Sequence, residues 1–579
     1  MKKGLLLVKL ALLAAVLMLV LAACNREGGA ATTPAPTPPP TPQPQQQQQQ
    51  TPSDSADVTF PAIMNPVGTL PIVNEPVTFT IFTGANAGIE YETNVGALQL
   101  QELTGINIEW IQVPAADMVT RRNLMLATGD LPDIFVNDVG SHAAVFHYAS
   151  LGVFRPITPY IQEFAPEMQR MFGIHPNVHD DMVMPDGNIY AFPAVDDCFH
   201  CSMNLKLWVY YPWLEALNLD VPRTTEEFYD MLVAFRDGDP SGRGLNDEIP
   251  MAAAFTGWDH GPNTIINAWI TNNQNRMIMR DGLVTVIYDT EEYRDALRFL
   301  NRIYESDLLA PESFVLDRAG LRQLADSAER ADEDASMNRV GVKPAMWVGG
   351  TSTEWRSWRV IPYLEGPNGH SVAVYNPLRG NNRAVITSRL PEELMPVAVR
   401  FLDSLYTDDM ALLMVQGIQD LNWRFSDPGE VGIHGGPAMW ERIVHPPDNP
   451  APPNTTIGQI FPNFRSNEFR LSERADRTII EQETLLYDES MLMLPLRDRI
   501  ENIVPVLIFG EAESAELVDL QTTLDSFVIE SQARFIVGEL CLDRDWDWYV
   551  RELQVMGLPR FLELQQNAVE ARNARLANR

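Results

Sequence analysis

VTFTIFTGANAGIEYETNVGALQLQELTGINIEWIQVPAADMVTRRNLMLATGDLPDIFVND, residues 77–138, decides the fold class. Val77 to Thr83 alternates apolar residues with threonine, the two-residue period of a strand, and runs into a turn at Gly84-Ala85-Asn86. Residues 90–103 carry a helical period that stops at Gly105. Ile106 to Val113 alternates again, with Ile106, Ile108 and Trp110 on one face and Asn107 and Glu109 on the other. A second helix is predicted over 115–128, ending at Gly129, and Ile134-Phe135-Val136 is a third strand. Strand–helix–strand–helix–strand implies a parallel sheet with right-handed crossovers. Ligands of such sheets lie beyond the carboxyl ends of the strands. Asn86 and Asp138, which follow strands, are therefore candidate binding residues.

A second unit follows Ile189-Tyr190-Ala191-Phe192-Pro193. Trp208 to Leu217 reads as a helix, with Trp208 and Trp213 as core. Thr224 and Glu227 form a capping-box pattern for the next helix, whose Phe228, Met231, Leu232 and Phe235 share one face. Ile249 to Phe255 and Ala345 to Val348 read as strands, and 291–304, 392–416 and 545–575 as helices. Pro, Gly and Asn in 425–466 give long loops. The chain is read as mixed α/β with two lobes.

At the other end, Met1-Lys2-Lys3, an apolar run from Leu10 to Leu21, and Leu21-Ala22-Ala23-Cys24 make an export signal over 1–23. The cysteine at the cleavage point resembles a bacterial lipobox, which implies lipidation of Cys24. Residues 24–57, rich in Pro, Thr, Ala and Gln, lack the apolar residues to fold and read as a tether. The formal charge of −34 argues against nucleic acid or an anionic membrane surface as partner. Of four cysteines, Cys198 and Cys201 have CxxC spacing; one pair is half a zinc site, and outside the cytoplasm a local disulfide is expected.

Several stretches resemble extracellular family 1 solute-binding lipoproteins of ABC importers. They are Asn123 to Ile134 (NLMLATGDLPDI), Pro185 to Pro193 (PDGNIYAFP), Pro212 to Leu219 continuing through Asp247-Glu248-Ile249-Pro250, Val415 to Gln419, and Phe535 to Leu558. In this order, behind the lipobox, they are similar to the large oligosaccharide-binding branch, the lipoprotein-A and alginate-oligosaccharide-binding types. The resemblance implies a two-lobed, periplasmic-binding-protein-like (type II) α/β fold, with a hinge and an interlobe cleft. Lobe one would comprise 58–195 and 341–400, and lobe two 196–340 and 401–579. It also implies a monomer, anchored to the cell membrane on its outer face by lipid, that passes a solute to ABC permease subunits and performs no chemistry.

Asp237, Asp239, Ser241, Gly242 and Glu248 fit the spacing of a calcium loop, in which short oxygen side chains at alternate positions converge and a distal carboxylate closes the shell. The family's own loop, aligned on its Asp-Pro, would carry ligands onto Asp239, Ser241, Asp247 and Glu248. There Arg243 falls on a ligand position, and a cation cannot coordinate. Structural calcium and an acidic Gly/Pro loop closed by hydrogen bonds alone both stay open.

Sugars present apolar faces for aromatic rings and a rim of hydroxyls for Asp, Asn, Glu and Arg. The candidates are Trp258 with nearby Asn263, Gly350 and Trp355 around the Gly349-Gly350-Thr351 turn, Trp423, and Asp196-Asp197 at the lobe crossing, besides Asn86 and Asp138. Taken one at a time, each reads more readily as core or hinge packing or as an ordinary turn residue, and the set carries more than any member. No Gly-x-Ser-x-Gly, HExxH or phosphate loop is present. An oligosaccharide-binding protein is the expected function; the alternatives are a secreted carbohydrate hydrolase and a surface lipoprotein that binds a protein.

Overall fold

The computed structural model describes residues 60–85, 88–245, 247–255, 261, 263–325, 338–350, 355–446 and 449–577. Its first sheet runs in the order Ile106–Pro114, Val77–Ala85, Ile134–Val136, Ala384–Ile386, Ala191–Phe192. The first three strands are parallel, as the period of 77–138 dictates, and Ala384–Ile386 is antiparallel to both of its neighbours. Helix Val95–Thr104 begins later than the pattern suggests, because Asn94 caps it by accepting from the Ala97 amide. Gly105 and Gly129 end their helices at φ 73° and 75°, the left-handed conformation that glycine adopts without a Cβ clash. A 3-10 turn, Ala115–Asp117, opens the second helix, which proper spans Met118–Thr128.

The second sheet has the order Trp358–Ile361, Leu207–Tyr210, Val340–Pro344, Ile249–Met251. Trp208 lies in a strand rather than a helix. Leu207-Trp208-Val209-Tyr210 is β-branched and aromatic, and Pro212 places the helix start at Tyr211. Trp208 is nonetheless core, fully buried, and its indole donates to the Ala345 carbonyl at 2.8 Å. The strand expected at 345–348 is displaced to Val340–Pro344, and Val348–Gly350 is a 3-10 turn. The stretches 392–416 and 545–575 are each broken in two, at Thr407, which caps Asp408–Val415, and at Gly557 with φ 99°. The 26-residue helix Glu511–Ile536 went unread in the sequence.

The apolar residues form two large cores, one per lobe. The first draws on 64–195 and 384–464, the second on 203–374 and 485–569. The chain therefore passes between the cores over 195–203, 374–384 and 464–485. The sequence boundaries at 340 and 400 are corrected by two facts. Val340–Pro344 pairs with Leu207–Tyr210 and Ile249–Met251, so it belongs to the second sheet. Helix Met395–Ser404, all of whose residues are buried, packs in the first core. A small cluster of Leu412, Trp423, Trp440 and Phe469 stands apart from both. Among the described residues no helix is long and apolar enough to cross a membrane. The signal segment, Cys24 and the tether lie outside the described residues.

Candidate functional site: a cleft framed by the crossing segments

The three crossings are stitched together. Strand Ala194–Asp196 of the first pairs in parallel with Asn463–Arg465 of the third. Asn381, in the second, donates to the Ala194 carbonyl at 2.7 Å and accepts from the Ala194 amide at 3.0 Å. Its side chain thus imitates a neighbouring strand. Asn376 donates its amide to the Ser202 carbonyl at 2.7 Å. Cys198 and Cys201 form the expected local disulfide just past the first crossing. With its sulfurs paired, the Cys198–His200–Cys201 group is no metal site.

These segments enclose a polar cavity of about 680 Å³. Asp196 and Asp197 line it with His175, and the second crossing contributes Tyr375, Arg379, Asn381 and Arg383. Arg497 stands at the mouth, its guanidinium 4.6 Å from the centre of the Tyr375 ring. Asp196 is bracketed by Arg465 and Arg470, each at 2.5 Å. His175 Nε2 lies 3.6 Å from an Asp197 oxygen. Burial lowers the His175 pKa against the pull of Asp197, and burial raises that of Asp197 against the pull of His175. Arg383 donates to the Asn137 side-chain oxygen at 2.8 Å, and Asn137, at φ 84°, is the first residue past strand Ile134–Val136. The cavity thus reaches the carboxyl end of a parallel strand, where such sheets place ligands. A larger groove, about 1110 Å³, runs beside strand Trp358–Ile361, but second-lobe elements alone line it.

Of the sequence candidates, the structure brings Asp196 and Asp197 into this cavity. Asp138 stands just behind it: Arg122 holds its carboxylate at 3.0 Å, and it acts on Arg383 from a distance. Trp423 is buried in the small third cluster, its indole N–H donating to the Gly417 carbonyl at 2.9 Å, and it does not line this cavity. Asn263 accepts from Gln532 at 2.9 Å, away from the cavity lining. Trp355 packs against the second core beneath Arg356, whose guanidinium is 4.3 Å from the ring centre, and Gly350 ends a 3-10 turn; neither lines the cavity. Asn86 and Trp258 lie outside the described residues. Tyr375, Arg379, Asn381 and Arg383 escaped the sequence reading, although a signal was there. No Asp or Glu occurs between Glu365 and Glu392, in a chain with 77 of them.

In the 237–248 loop, Asp237 turns outward and Arg236 clamps both its oxygens, at 2.7 and 2.8 Å, which removes it from any ligand set. The other four converge. Asp239 accepts the Arg243 and Gly244 amides at 3.0 and 2.9 Å, and Ser241 bonds Glu248. Arg243 reaches in among them, donating to Ser241 Oγ at 2.9 Å and to Asp247 Oδ1 at 2.6 Å.

No family model matches the chain. It is 25% identical over 484 residues, 81% of its length and 85% of the relative's, to the fructooligosaccharide ABC transporter substrate-binding protein FusA of Streptococcus pneumoniae. To the lipoprotein LipO of Bacillus subtilis it is 22% identical over 457 residues, 76% and 82% of the two chains. Among solved structures, FusA in complex with kestose superposes with a TM-score of 0.67 at 21% identity, covering 87% of this chain and all of that one. A human-milk-oligosaccharide (HMO) binding solute-binding protein of Bifidobacterium longum infantis gives 0.71 at 17% identity, covering 86% and 99%. A further FusA structure, of an EF-hand mutant with fructo-nystose, gives 0.66. The chain has the two-lobed α/β fold of ABC-transporter solute-binding proteins. The Streptococcus pneumoniae relative is a substrate-binding protein of that kind.

Proposed function

We propose that the protein is a lipid-anchored, extracytoplasmic, monomeric substrate-binding protein that captures an oligosaccharide and hands it to the permease of an ABC importer. The observation that carries this reading is the polar cavity enclosed by all three crossing segments. A ligand held there touches both lobes, so binding energy is available to favour a closed arrangement over an open one. Asn376 and Asn463 offer amide groups to hydroxyls, Asp197 accepts, and Tyr375 and Phe199 offer rings to sugar faces. Hydrolysis is disfavoured by Asp196: with both oxygens tied to arginines, it is a poor partner for Asp197 in a two-carboxylate mechanism. The test is a thermal-shift screen over oligosaccharides, with product analysis. A true ligand at about 100 times its Kd adds roughly 2.7 kcal/mol. A flat response across a broad panel, or release of shorter sugars, refutes the reading.

The EF-hand of a relative raises calcium, and the loop does not fit it as it stands. Calcium takes six to eight oxygens. Here a guanidinium already sits between Ser241 and Asp247, and Arg339 Nε stands 3.9 Å from the other Asp247 oxygen. We read Arg243 as the cation that closes this loop in place of a metal ion.

A further inference from the structure

We propose that the cleft selects an anionic saccharide, one bearing carboxylate or sulfate groups that engage Arg383 and Arg379; this rests on the saccharide-binding reading above. Charges taken out of water are normally paired, because an uncompensated buried ion is costly. Arg400 and Arg276 keep that rule, meeting Asp403 at 2.9 Å and Asp525 at 2.7 Å, and buried Lys206 is satisfied instead by the His200 and Met203 carbonyls. Arg379 and Arg383 depart from it. Both are half-buried in the cavity wall, and among the described residues neither forms an ion pair. The carboxylates nearest in effect, Asp181 and Asp138, act only from a distance and are themselves held by Arg572 and Arg122.

The donors of both groups are left underused. Arg379 gives one N–H to the Val504 carbonyl at 2.7 Å. Arg383 spends Nη1 on Asn137, while its Nε is buried without a partner. Burial lowers the pKa of both guanidinium groups, against the opposing pull of Asp181 on Arg379 and of Asp138 on Arg383. Arg497 adds a third cation at the entrance, also outside any ion pair among the described residues. Against these three stands Asp197, since Asp196 is bracketed by two further arginines. In a chain of charge −34, whose long-range field repels anions, such a cluster has a clear electrostatic use. A planar guanidinium fork meets a carboxylate or sulfate with two parallel hydrogen bonds, which a neutral hydroxyl cannot match.

The test uses the mature protein and isothermal titration with three matched sets: uronic-acid tetrasaccharides of several epimers, their carboxyl-reduced neutral counterparts, and the sulfated neutral forms. The expected result is binding of a uronate or a sulfated member at least tenfold tighter than its neutral counterpart, weakening as salt rises from 50 to 300 mM. The arm that binds identifies the anion. Arg383→Gln and Arg379→Gln should each abolish most of that preference, while Arg383→Lys should restore part of it. Arg497→Gln removes the charge at the exposed mouth together with its contact on the Tyr375 ring, and Arg497→Lys, which keeps the charge, separates the two. Equal or tighter binding of the neutral forms overturns the anionic assignment and leaves saccharide binding standing. Absence of binding in all three sets overturns both.

Discussion

Replacing Arg243 with asparagine converts the 237–248 loop from one that carries its own cation into one that must import it. In the native loop the guanidinium donates to Asp247 at 2.6 Å and to Ser241 at 2.9 Å, and the side chains of Arg243 and Asp247 are 17% and 25% exposed. A charge-assisted bond in such a setting contributes about 1.5–3 kcal/mol, and a bond to a hydroxyl about 1. Removing both takes the guanidinium away from Asp239, Asp247 and Glu248, while Arg339 stays 3.9 Å from Asp247. The variant should therefore lose about 2–4 kcal/mol in chelator. Asparagine also supplies the oxygen that Arg243 denies, so calcium at about 100 times its Kd should restore roughly 2.7 kcal/mol. Urea unfolding of both proteins, each in chelator and in millimolar calcium, measures this. The native protein should unfold at the same urea concentration in both buffers, and the variant should not. Native protein that calcium stabilises at one ion per chain would refute the reasoning, because the guanidinium would then be displaced as readily as water.

Other expectations follow from buried groups and from the N-terminus. Lys206 is fully buried and donates to the His200 and Met203 carbonyls, and desolvation lowers its pKa to about 7. The unfolded lysine titrates near 10.4, so between about pH 7 and 10 the unfolded chain holds the extra proton and stability rises with pH, by up to about 1.4 kcal/mol per unit. Asp403 and Glu473, whose pKa burial raises to about 7, are common to both proteins and cancel in the comparison; a stability difference between native protein and Lys206→Met that stays flat from pH 7 to 9 would exclude the assignment. Trp208→Ala should cost about 3–5 kcal/mol by urea unfolding, from the emptied volume and the Ala345 carbonyl left without its donor. A loss under 1 kcal/mol would mean that the second sheet closes around the void. Cys24→Ser should move the protein from the membrane fraction to the medium with saccharide affinity unchanged; a change in affinity would argue against an independent tether.

The elements that could be read in the sequence are those whose information is local. The strands and helices of 77–138 follow from two- and 3.6-residue periods ended by Gly105 and Gly129, and the capping box at Thr224 and Glu227 forms as spaced. The disulfide, three residues apart in sequence, needed no fold to be foreseen. What the sequence hid is non-local. Ile106–Pro114 pairs with a strand one helix away, but Ala384–Ile386 enters the same sheet after an excursion through the whole first part of the second lobe. No periodicity within Val340–Pro344 says which of two sheets it joins; its partners Leu207–Tyr210 and Ile249–Met251 do.

The same limit applies to the cavity lining. Tryptophans drew attention because aromatic rings stack on sugars, yet Trp423 is core, and indole character alone does not distinguish a platform from packing. Composition set against the chain's own background would have served better. Gly366 to Pro391, 26 consecutive residues without a carboxylate, is one of the longer such stretches in this acidic chain. That stretch holds the second crossing, and within it Arg379 and Arg383 lie next to Asn381, which fastens the segment to Ala194. Asn381 keeps the crossing in register while the arginines face the cavity four residues apart, so the segment that joins the lobes also carries the charge proposed to choose the ligand. If the proposed anion binds there and the lobes close on it, affinity and closure are coupled: the ligand then acts on Arg379 and Arg383 in a segment that joins the two cores.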